Sequence, residues 1–116
     1  MMVLSASHRY FLYRPAVDMR KGFDGLSGLV ISKMGQDVLS GDVFIFMNRR
    51  RDKIKLLVWD RTGFVLYYKR LESGSFELPP GPDTLGLPWD MLVMLLEGVS
   101  LGGLQRRKRY VRAAVG

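Results

Sequence analysis

Short apolar runs, separated by polar turns, dominate the middle of the chain. They read VFIFM at 43–47, KIKLLVW at 53–59 and FVLYYKRL at 64–71. Runs of β-branched and aromatic residues of this length favour strands. The first intervening turn begins with Asn48, and the second runs from Asp60 to Gly63, which suits a type I turn closed by a left-handed glycine. The pattern predicts an antiparallel meander over 43–71.

The second strand of this meander alternates in polarity, which predicts one buried face and one face that begins basic. Its two faces hold Ile54, Leu56 and Val58 on one side and Lys53, Lys55 and Leu57 on the other. The third strand divides in the same way into Phe64, Leu66 and Tyr68 opposite Val65, Tyr67 and Lys69. We expect Lys55 and Lys69 to share a face beside Tyr67, although a register shift of one residue would reverse that assignment.

Helical periodicity occurs both before and after the meander in the sequence. In the stretch 18–35 the apolar residues that share one side are Met19, Phe23, Leu26, Val30 and Met34. Asp18 suits the N-cap of this helix and Gly35 its stop. A shorter and largely buried helix is predicted over 89–97, directly after Pro88.

The remaining segments predict one more strand and a connector. Residues 8–14, HRYFLYR, are rich in aromatics and stop at Pro15, which favours a short strand. Residues 72–88 hold four of the five prolines and predict an ordered connector or a loop. The predicted fold class is α+β, with a mainly antiparallel sheet of three to five strands covered on one face by both helices. We assign 1–105 to a single domain and 106–116 to a basic C-terminal tail.

Three glycines, Gly22, Gly25 and Gly28, form a slowly turning stripe on the first predicted helix. Each costs about 1 kcal/mol relative to alanine in a helix interior. The spacing is not the G-x-G-x-x-G fingerprint of dinucleotide sites. Close approach of the helix backbone to the sheet or to a partner protein therefore explains the stripe better than ligand binding does.

Composition narrows the class of protein. The 116 residues suit one domain, and 47% hydrophobic with 25% charged residues is typical of a globular protein. The absence of cysteine excludes disulfides and thiolate metal sites, and His8 cannot form a zinc site alone. Without an apolar run near 20 residues or a signal-peptide pattern, we predict a cytoplasmic protein with no membrane partner and no cofactor.

The positive charge is concentrated in two places. The chain carries +7 overall; residues 49–70 hold eight basic residues against two acidic ones, a net +6, and residues 98–116 hold five basic residues and no acidic one. The candidate nucleic-acid-binding residues are Arg49, Arg50, Arg51, Lys53, Lys55, Arg61, Lys69 and Arg70 in the centre, and Arg106, Arg107, Lys108 and Arg109 in the tail. Adjacent arginines in a tight turn repel one another, and a polyanion relieves that repulsion. We therefore favour nucleic-acid binding over a solvated turn, and loose anion binding for the tail.

Two other functions fit the residues less well. A metal-dependent nuclease needs carboxylates that converge on the metal; the available acids are Asp42, Asp52, Asp60 and Glu97, but Asp52 and Asp60 fall in predicted turns. Tyr67 and Tyr68 invite comparison with base-stacking platforms for single strands. Aromatic residues in strands are more often part of the core, and the RNA-recognition octapeptide is absent. We predict a protein that is not an enzyme.

Linked motifs along the chain point to a family. The segments are VDMRKGFDGLSGLV at 17–30, GDVFIFMNRRRDKIKLLVWDRTGFVLYYKRLESGSFELP at 41–79 and LLEGV at 95–99. Together they resemble the TnpB-type accessory proteins of bacterial insertion sequences of family sixty-six, which are unrelated to the RNA-guided nucleases that share the TnpB name. The sequence departs from that pattern at Tyr67, where tryptophan is expected, and at Leu78, where an aromatic is usual.

The resemblance implies an accessory role in DNA transposition, with strand cleavage and joining carried out by a separate transposase. It does not by itself assign DNA contacts. The leading hypothesis is a non-catalytic factor that binds DNA through the basic hairpin. The alternative is a protein-interaction module that assembles or regulates the transposase, with Gly22, Gly25, Gly28 and exposed aromatics as the contact.

Overall fold

The computed structural model describes residues 3–98, and these residues form an α+β fold. The elements in chain order are β1 (Tyr10–Tyr13), α1 (Phe23–Ser32), β2 (Val43–Met47), β3 (Lys53–Asp60), β4 (Gly63–Arg70), β5 (Thr84–Leu87) and α2 (Trp89–Leu96). The first strand, the three central strands and both helices confirm the predicted elements. The predicted basic tail, with Arg106, Arg107, Lys108 and Arg109, lies outside the described residues.

The five strands form one sheet in the order β4-β3-β2-β1-β5. Strands β2, β3 and β4 make the predicted antiparallel meander, but the whole sheet is mixed because β1 pairs parallel to β2. Strand β5 pairs antiparallel to β1 and lies inside the segment that we predicted to be a connector. Its sequence, TLGL between two prolines, is too short and too interrupted to give a strand signal.

Both faces of the sheet are buried, which corrects the prediction that the two helices share one face. Helix α2 packs Leu92 and Leu95 against one face, and helix α1 packs Leu26 and Val30 against the other. Strand β2 is buried at all of its positions, because alternate side chains enter opposite cores. The α2 face holds Tyr10, Leu12, Val43, Ile45, Met47, Ile54, Leu56, Val58 and Phe76, and the α1 face holds Val17, Met34, Val38, Phe44, Phe46 and Leu57.

Helix α1 begins later than the sequence predicts. Asp18 is not its N-cap; the Asp18 carboxylate accepts a hydrogen bond from the backbone N–H of Arg20 at 2.9 Å, and Gly22 occupies the cap position. The chain over 18–22 is therefore a turn that precedes the helix. Gly35 adopts a left-handed conformation, with φ of 64°, after the end of the helix, as predicted.

The glycine stripe does not mark close packing within the described part of the chain. A Cβ built on Gly22 or Gly28 meets nothing within 4 Å, and one built on Gly25 meets only the side chain of Lys21. Gly22 and Gly28 are both exposed. The prediction of a close approach to the sheet is therefore wrong.

The turn between β3 and β4 also differs from the prediction. Its left-handed residue is Arg61, with φ of 49°, whereas Gly63 pairs with Asp60 as the first residue of β4. A non-glycine residue in this region carries strain of about 1 kcal/mol. In residues 3–98, no helix combines the length and apolar character that a membrane crossing requires.

Candidate functional site

The parallel pair β1 and β2 determines where the basic turn lies. Because β1 and β2 are parallel, the segments that follow Tyr13 and Met47 leave the sheet at the same end of its strands. The backbone N–H of Val17 donates to the carbonyl of Met47 at 2.9 Å, which joins the two segments directly. Crevices at the carboxyl ends of strands are common ligand sites in sheets with parallel strands.

Asn48 organises the turn between β2 and β3. Its side-chain oxygen accepts from the Lys53 N–H at 3.0 Å, and its side-chain amide donates to the Asp52 carboxylate at 2.6 Å. The Asn48 hydrogen bond is the main reason that the pKa of Asp52 lies below its ordinary value; desolvation opposes it, and the Asp52 backbone N–H and the charges of Lys53 and Arg50 add smaller lowering effects. Arg51 closes the turn in a left-handed conformation, with φ of 58°. The Asp52 carboxylate is thus bound within the turn rather than paired with an arginine side chain.

The three arginines of this turn are exposed. Within residues 3–98, the guanidinium groups of Arg49, Arg50 and Arg51 make no hydrogen bond and no ion pair at salt-bridge distance, unlike those of Arg9, Arg20 and Arg70. Their mutual repulsion therefore remains in this part of the folded protein, reduced by the nearby Asp52 and by solvent. This arrangement leaves their donors available to an anion.

Lys55 has a structural role that the sequence analysis missed. The residue is only 6% exposed, and its ammonium donates to the carbonyls of Met19 at 2.7 Å and Lys21 at 2.9 Å. These bonds fasten the 18–22 turn to the face of β3. Because its donors point into the protein, Lys55 positions the wall of the site instead of presenting its charge at the surface.

An open groove with a volume of about 560 Å³ lies between the segment after β1 and the β2–β3 turn. It is lined by Ala16, Val17, Asp18, Met19 and Arg20 from the segment after β1, by Asn48, Arg49 and Arg50 from the turn, and by Lys53 and Tyr68 from the strands. Four cationic side chains and a single carboxylate therefore line the groove. A surface with this charge balance and a concave shape suits an anionic ligand.

Asp18, the acidic residue of the lining, is already paired with Arg20. The Arg20 guanidinium contacts its carboxylate at 2.7 Å, and this hydrogen bond is the main reason that the pKa of Asp18 falls to about 2. The carboxylate thus stays ionised above that pH. Arg20 nevertheless remains 92% exposed along its side chain, so it can also contact a bound anion.

Tyr68 is the aromatic residue of the groove. Its register partner across the hairpin is Lys55, which places both residues on the α1 face. The Lys55 ammonium lies over the Tyr68 ring, 4.6 Å from its centroid, and the residue is 54% exposed. By contrast, Tyr67 packs against the core on the other face.

The other predicted site residues are dispersed. Lys69 pairs with Ile54 on the α2 face, so the prediction that it shares a face with Lys55 is wrong. Its ammonium donates to the Leu96 carbonyl at 2.7 Å, at the end of α2. Arg70 pairs with Glu72 at 3.2 Å. Arg61 lies at the far end of the β3–β4 hairpin, and an eight-residue strand separates it from Arg50 by roughly 25 Å.

The carboxylates considered for metal-dependent cleavage are also dispersed. Asp42 is bound by Arg9 at 2.8 Å, Asp52 is bound in the β2–β3 turn, and Asp60 lies at the far end of β3. Among the described residues, no group of three or more acidic, histidine or cysteine side chains is arranged to hold a metal ion.

Arg20 is the groove residue that sequence reasoning missed. It stands 29 positions before Arg49 in the sequence and was placed inside a predicted helix. The sequence holds one signal that links Arg20 to the turn. The M-R-K-G segment at 19–22 and the N-R-R segment at 48–50 both belong to the motifs that carry the family resemblance. In the structure, residues from both segments line one groove.

Comparison with known proteins identifies the family. The family model described as IS66 Orf2 like protein matches residues 8–106. The uncharacterized protein y4jC of Sinorhizobium fredii is 36% identical over 101 residues, which cover 84% of this chain and 86% of that protein. The uncharacterized protein y4hO of the same organism is 36% identical over 62 residues, 53% of this chain and 54% of that protein. No solved structure matches the chain. With a family match over most of its length, the chain belongs to the IS66 Orf2-like family, a family of transposition accessory proteins and not of catalysts.

Proposed function

We propose that this protein is a non-catalytic transposition accessory factor that binds DNA through the groove between the 16–20 segment and the β2–β3 turn. The observation that carries the proposal is the convergence of Arg20, Arg49, Arg50 and Lys53 on one concave surface. These residues come from separate parts of the chain. Charge clustering along the sequence alone would not produce that convergence.

Arg49 and Arg50 carry charge that no carboxylate at salt-bridge distance neutralises within residues 3–98. Placing several cationic side chains around one groove raises the energy of the free protein through repulsion, which solvent and salt only partly screen. Phosphate oxygens remove that repulsion and accept charge-assisted hydrogen bonds from the same guanidinium groups. DNA supplies such oxygens at regular intervals along the strand. Among residues 3–98, Asp18 pairs with Arg20, but Arg49 and Arg50, which line the same groove, have no such carboxylate partner.

The site is tested by comparing two double variants that remove the same charge. The groove variant carries Arg49→Ala and Arg50→Ala. The control carries Lys33→Ala and Arg61→Ala, at two exposed positions that do not line the groove. Both variants lose the same long-range attraction, so any difference between them reports local phosphate contacts. Loss of two such contacts weakens binding by about 10- to 50-fold, at about 1 kcal/mol each.

Fluorescence anisotropy with labelled DNA measures this difference directly. The proposal requires the groove variant to bind at least tenfold more weakly than the control variant, with unchanged thermal stability in both. Equal losses in the two variants contradict a local site in the groove. In that case the basic residues attract DNA through long-range charge alone, without local phosphate contacts in the groove.

A protein contact is the second candidate function, and exposed apolar residues on α1 favour it. Phe23 is 48% exposed and Ile31 is 60% exposed, while Gly22 and Gly28 present open backbone beside them. A partner helix packs readily against a surface of this kind. The partner proposed here is the transposase of the same element, and the positive charge of this protein would attract an acidic surface on that partner.

Co-purification with the transposase after nuclease treatment tests this second function. Retention that Ile31→Glu abolishes and the groove variant preserves supports a protein contact at α1. Release of the transposase by nuclease contradicts it, because DNA then bridges the two proteins.

A further inference from the structure

We infer that the groove holds an unpaired strand of DNA, with a base stacked on Tyr68 and its phosphates on the surrounding basic residues. The inference rests on the proposed function and specifies its substrate. It gives Tyr68 a role in stacking a base, which phosphate binding by the basic residues would not need.

The setting of Tyr68 is unusual for an aromatic residue in a sheet. Phe44, Phe46 and Leu57, on the same face, are completely buried, whereas Tyr68 near the end of β4 is 54% exposed and lines the groove. The ammonium of Lys55 covers one side of its ring. With 54% of its surface exposed, the residue still offers ring surface to a planar group from solvent.

The ring is also held in place. Lys55 is fixed by two backbone carbonyls at 2.7 and 2.9 Å, and its ammonium is attracted to the π face of Tyr68. A supported ring loses little rotamer freedom when a base stacks on it. Proteins that bind single strands use this combination, an aromatic platform within a positively charged groove.

The arrangement of the cations fits a single strand better than a duplex. The groove lining takes Arg20 from the segment after β1, Arg49 and Arg50 from the β2–β3 turn, and Lys53 and Tyr68 from the sheet. A strand lying along the groove presents phosphates to the walls and a base to the ring. Proteins that read a duplex instead insert a protruding helix or ribbon into a major groove about 12 Å wide.

The volume of the groove points the same way. At about 560 Å³ it falls in the range of small-molecule sites, about 300–1,000 Å³. It therefore accommodates a nucleotide or two from a flexible strand. A base that is paired and stacked inside a duplex cannot reach Tyr68 without being unpaired.

The test compares unpaired and paired DNA on the intact protein. The probes are labelled dT12, a blunt 12-base-pair duplex, and the same duplex with a single-stranded extension, each measured by fluorescence anisotropy. We expect dT12 and the extended duplex to bind at least tenfold more tightly than the blunt duplex. Tyr68→Leu should weaken binding to dT12 by about 5- to 100-fold, the range for loss of one stacked base.

Two further variants separate stacking from other effects. Tyr68→Phe keeps the ring and should bind dT12 as the wild type does. Phe23→Leu changes an aromatic residue of similar exposure, 48%, that does not line the groove, and it should also bind normally. Melting curves confirm that Tyr68→Leu remains folded, as expected for an exposed position.

The outcomes distinguish this inference from the proposed function. Tight binding to the blunt duplex, lost in the groove variant but unaffected by Tyr68→Leu, overturns the single-strand inference and leaves the DNA-binding function standing. Absence of binding to all three probes overturns both. Equal losses on dT12 and blunt duplex in Tyr68→Leu also overturn the inference, because only the unpaired probe has bases that are free to stack on the Tyr68 ring.

Discussion

Replacement of Lys55 by methionine separates its structural role from a phosphate contact. Lys55→Met keeps the length and apolar stem of the side chain but removes the ammonium, and with it both hydrogen bonds to the 18–22 turn. The contact with the Tyr68 ring is lost as well. We therefore expect this single substitution to destabilise the protein and to loosen one wall of the groove.

The magnitude follows from the contacts that disappear. A hydrogen bond that involves a charged group contributes about 1.5–3 kcal/mol, and a cation–π contact at a partly exposed site about 0.5–1 kcal/mol. The two carbonyls belong to a partly exposed turn and regain water in the variant, which reduces the loss. We expect the free energy of unfolding to fall by about 2–3 kcal/mol, equivalent to a decrease in melting temperature of roughly 10–20 °C.

Urea denaturation of Lys55→Met and Lys53→Met measures the effect against a matched control. Lys53 lies on the same face of β3 and lines the groove, but its ammonium makes no hydrogen bond among residues 3–98. Lys53→Met should therefore lose less than about 0.5 kcal/mol while weakening DNA binding. Equal stability losses in the two variants, or a loss below 0.5 kcal/mol for Lys55→Met, would refute the positioning role.

Two other substitutions test separate parts of the account. Arg61→Asn should raise stability by about 0.5–1 kcal/mol, because asparagine tolerates positive φ better than arginine, and should leave DNA affinity within a few-fold of wild type. A large affinity loss in that variant would instead extend the interface to the far end of the hairpin. Gly28→Ala should stabilise α1 by about 0.5–1 kcal/mol in thermal denaturation, since the added Cβ meets nothing within 4 Å. A destabilised Gly28→Ala would contradict the open space on that face of the helix.

Sequence patterns predicted the central strands because each is a β-branched and aromatic run between clear turn signals. They did not predict β5, whose four residues contain Gly86 and which forms by pairing with β1. That pairing depends on tertiary contacts, which local propensity does not contain. Arg14 contributes such contacts, because its side chain donates to the Pro79 carbonyl at 2.8 Å and to the Gly81 carbonyl.

The sequence of β2 contains a signal that both faces of the sheet are covered. VFIFM is apolar at every position, and a run of this kind is typical of a strand covered on both faces. The alternating pattern of β3, with its lysines on one face, instead indicates a solvent-facing side. One of those lysines, Lys55, is buried and donates to two carbonyls. The sequence pattern alone does not show whether a lysine donates to such carbonyls or to water.

The candidate site was predicted in part. The exposed turn at Arg49 and Arg50 follows from charge clustering and turn chemistry, which are local properties of the sequence. The opposite wall does not, because it depends on the parallel pairing of β1 and β2. Arg61 and Lys69 belong to the same charge cluster over 49–70, but the length of β3 separates Arg61 from the groove and strand alternation places Lys69 on the α2 face.

The salt dependence of DNA binding tests the central claim most directly. Wild-type protein and the Arg49→Ala, Arg50→Ala variant are titrated by anisotropy against dT12 and against duplex from the element's terminal inverted repeat, at several salt concentrations. Each phosphate contact contributes about 0.7 to the slope of log affinity against log salt for single strands, and about 0.9 for duplex. The account predicts measurable binding at low salt and a slope on dT12 smaller by about 1.4 in the variant. No binding to either probe at low salt, or identical slopes for the two proteins, would contradict it.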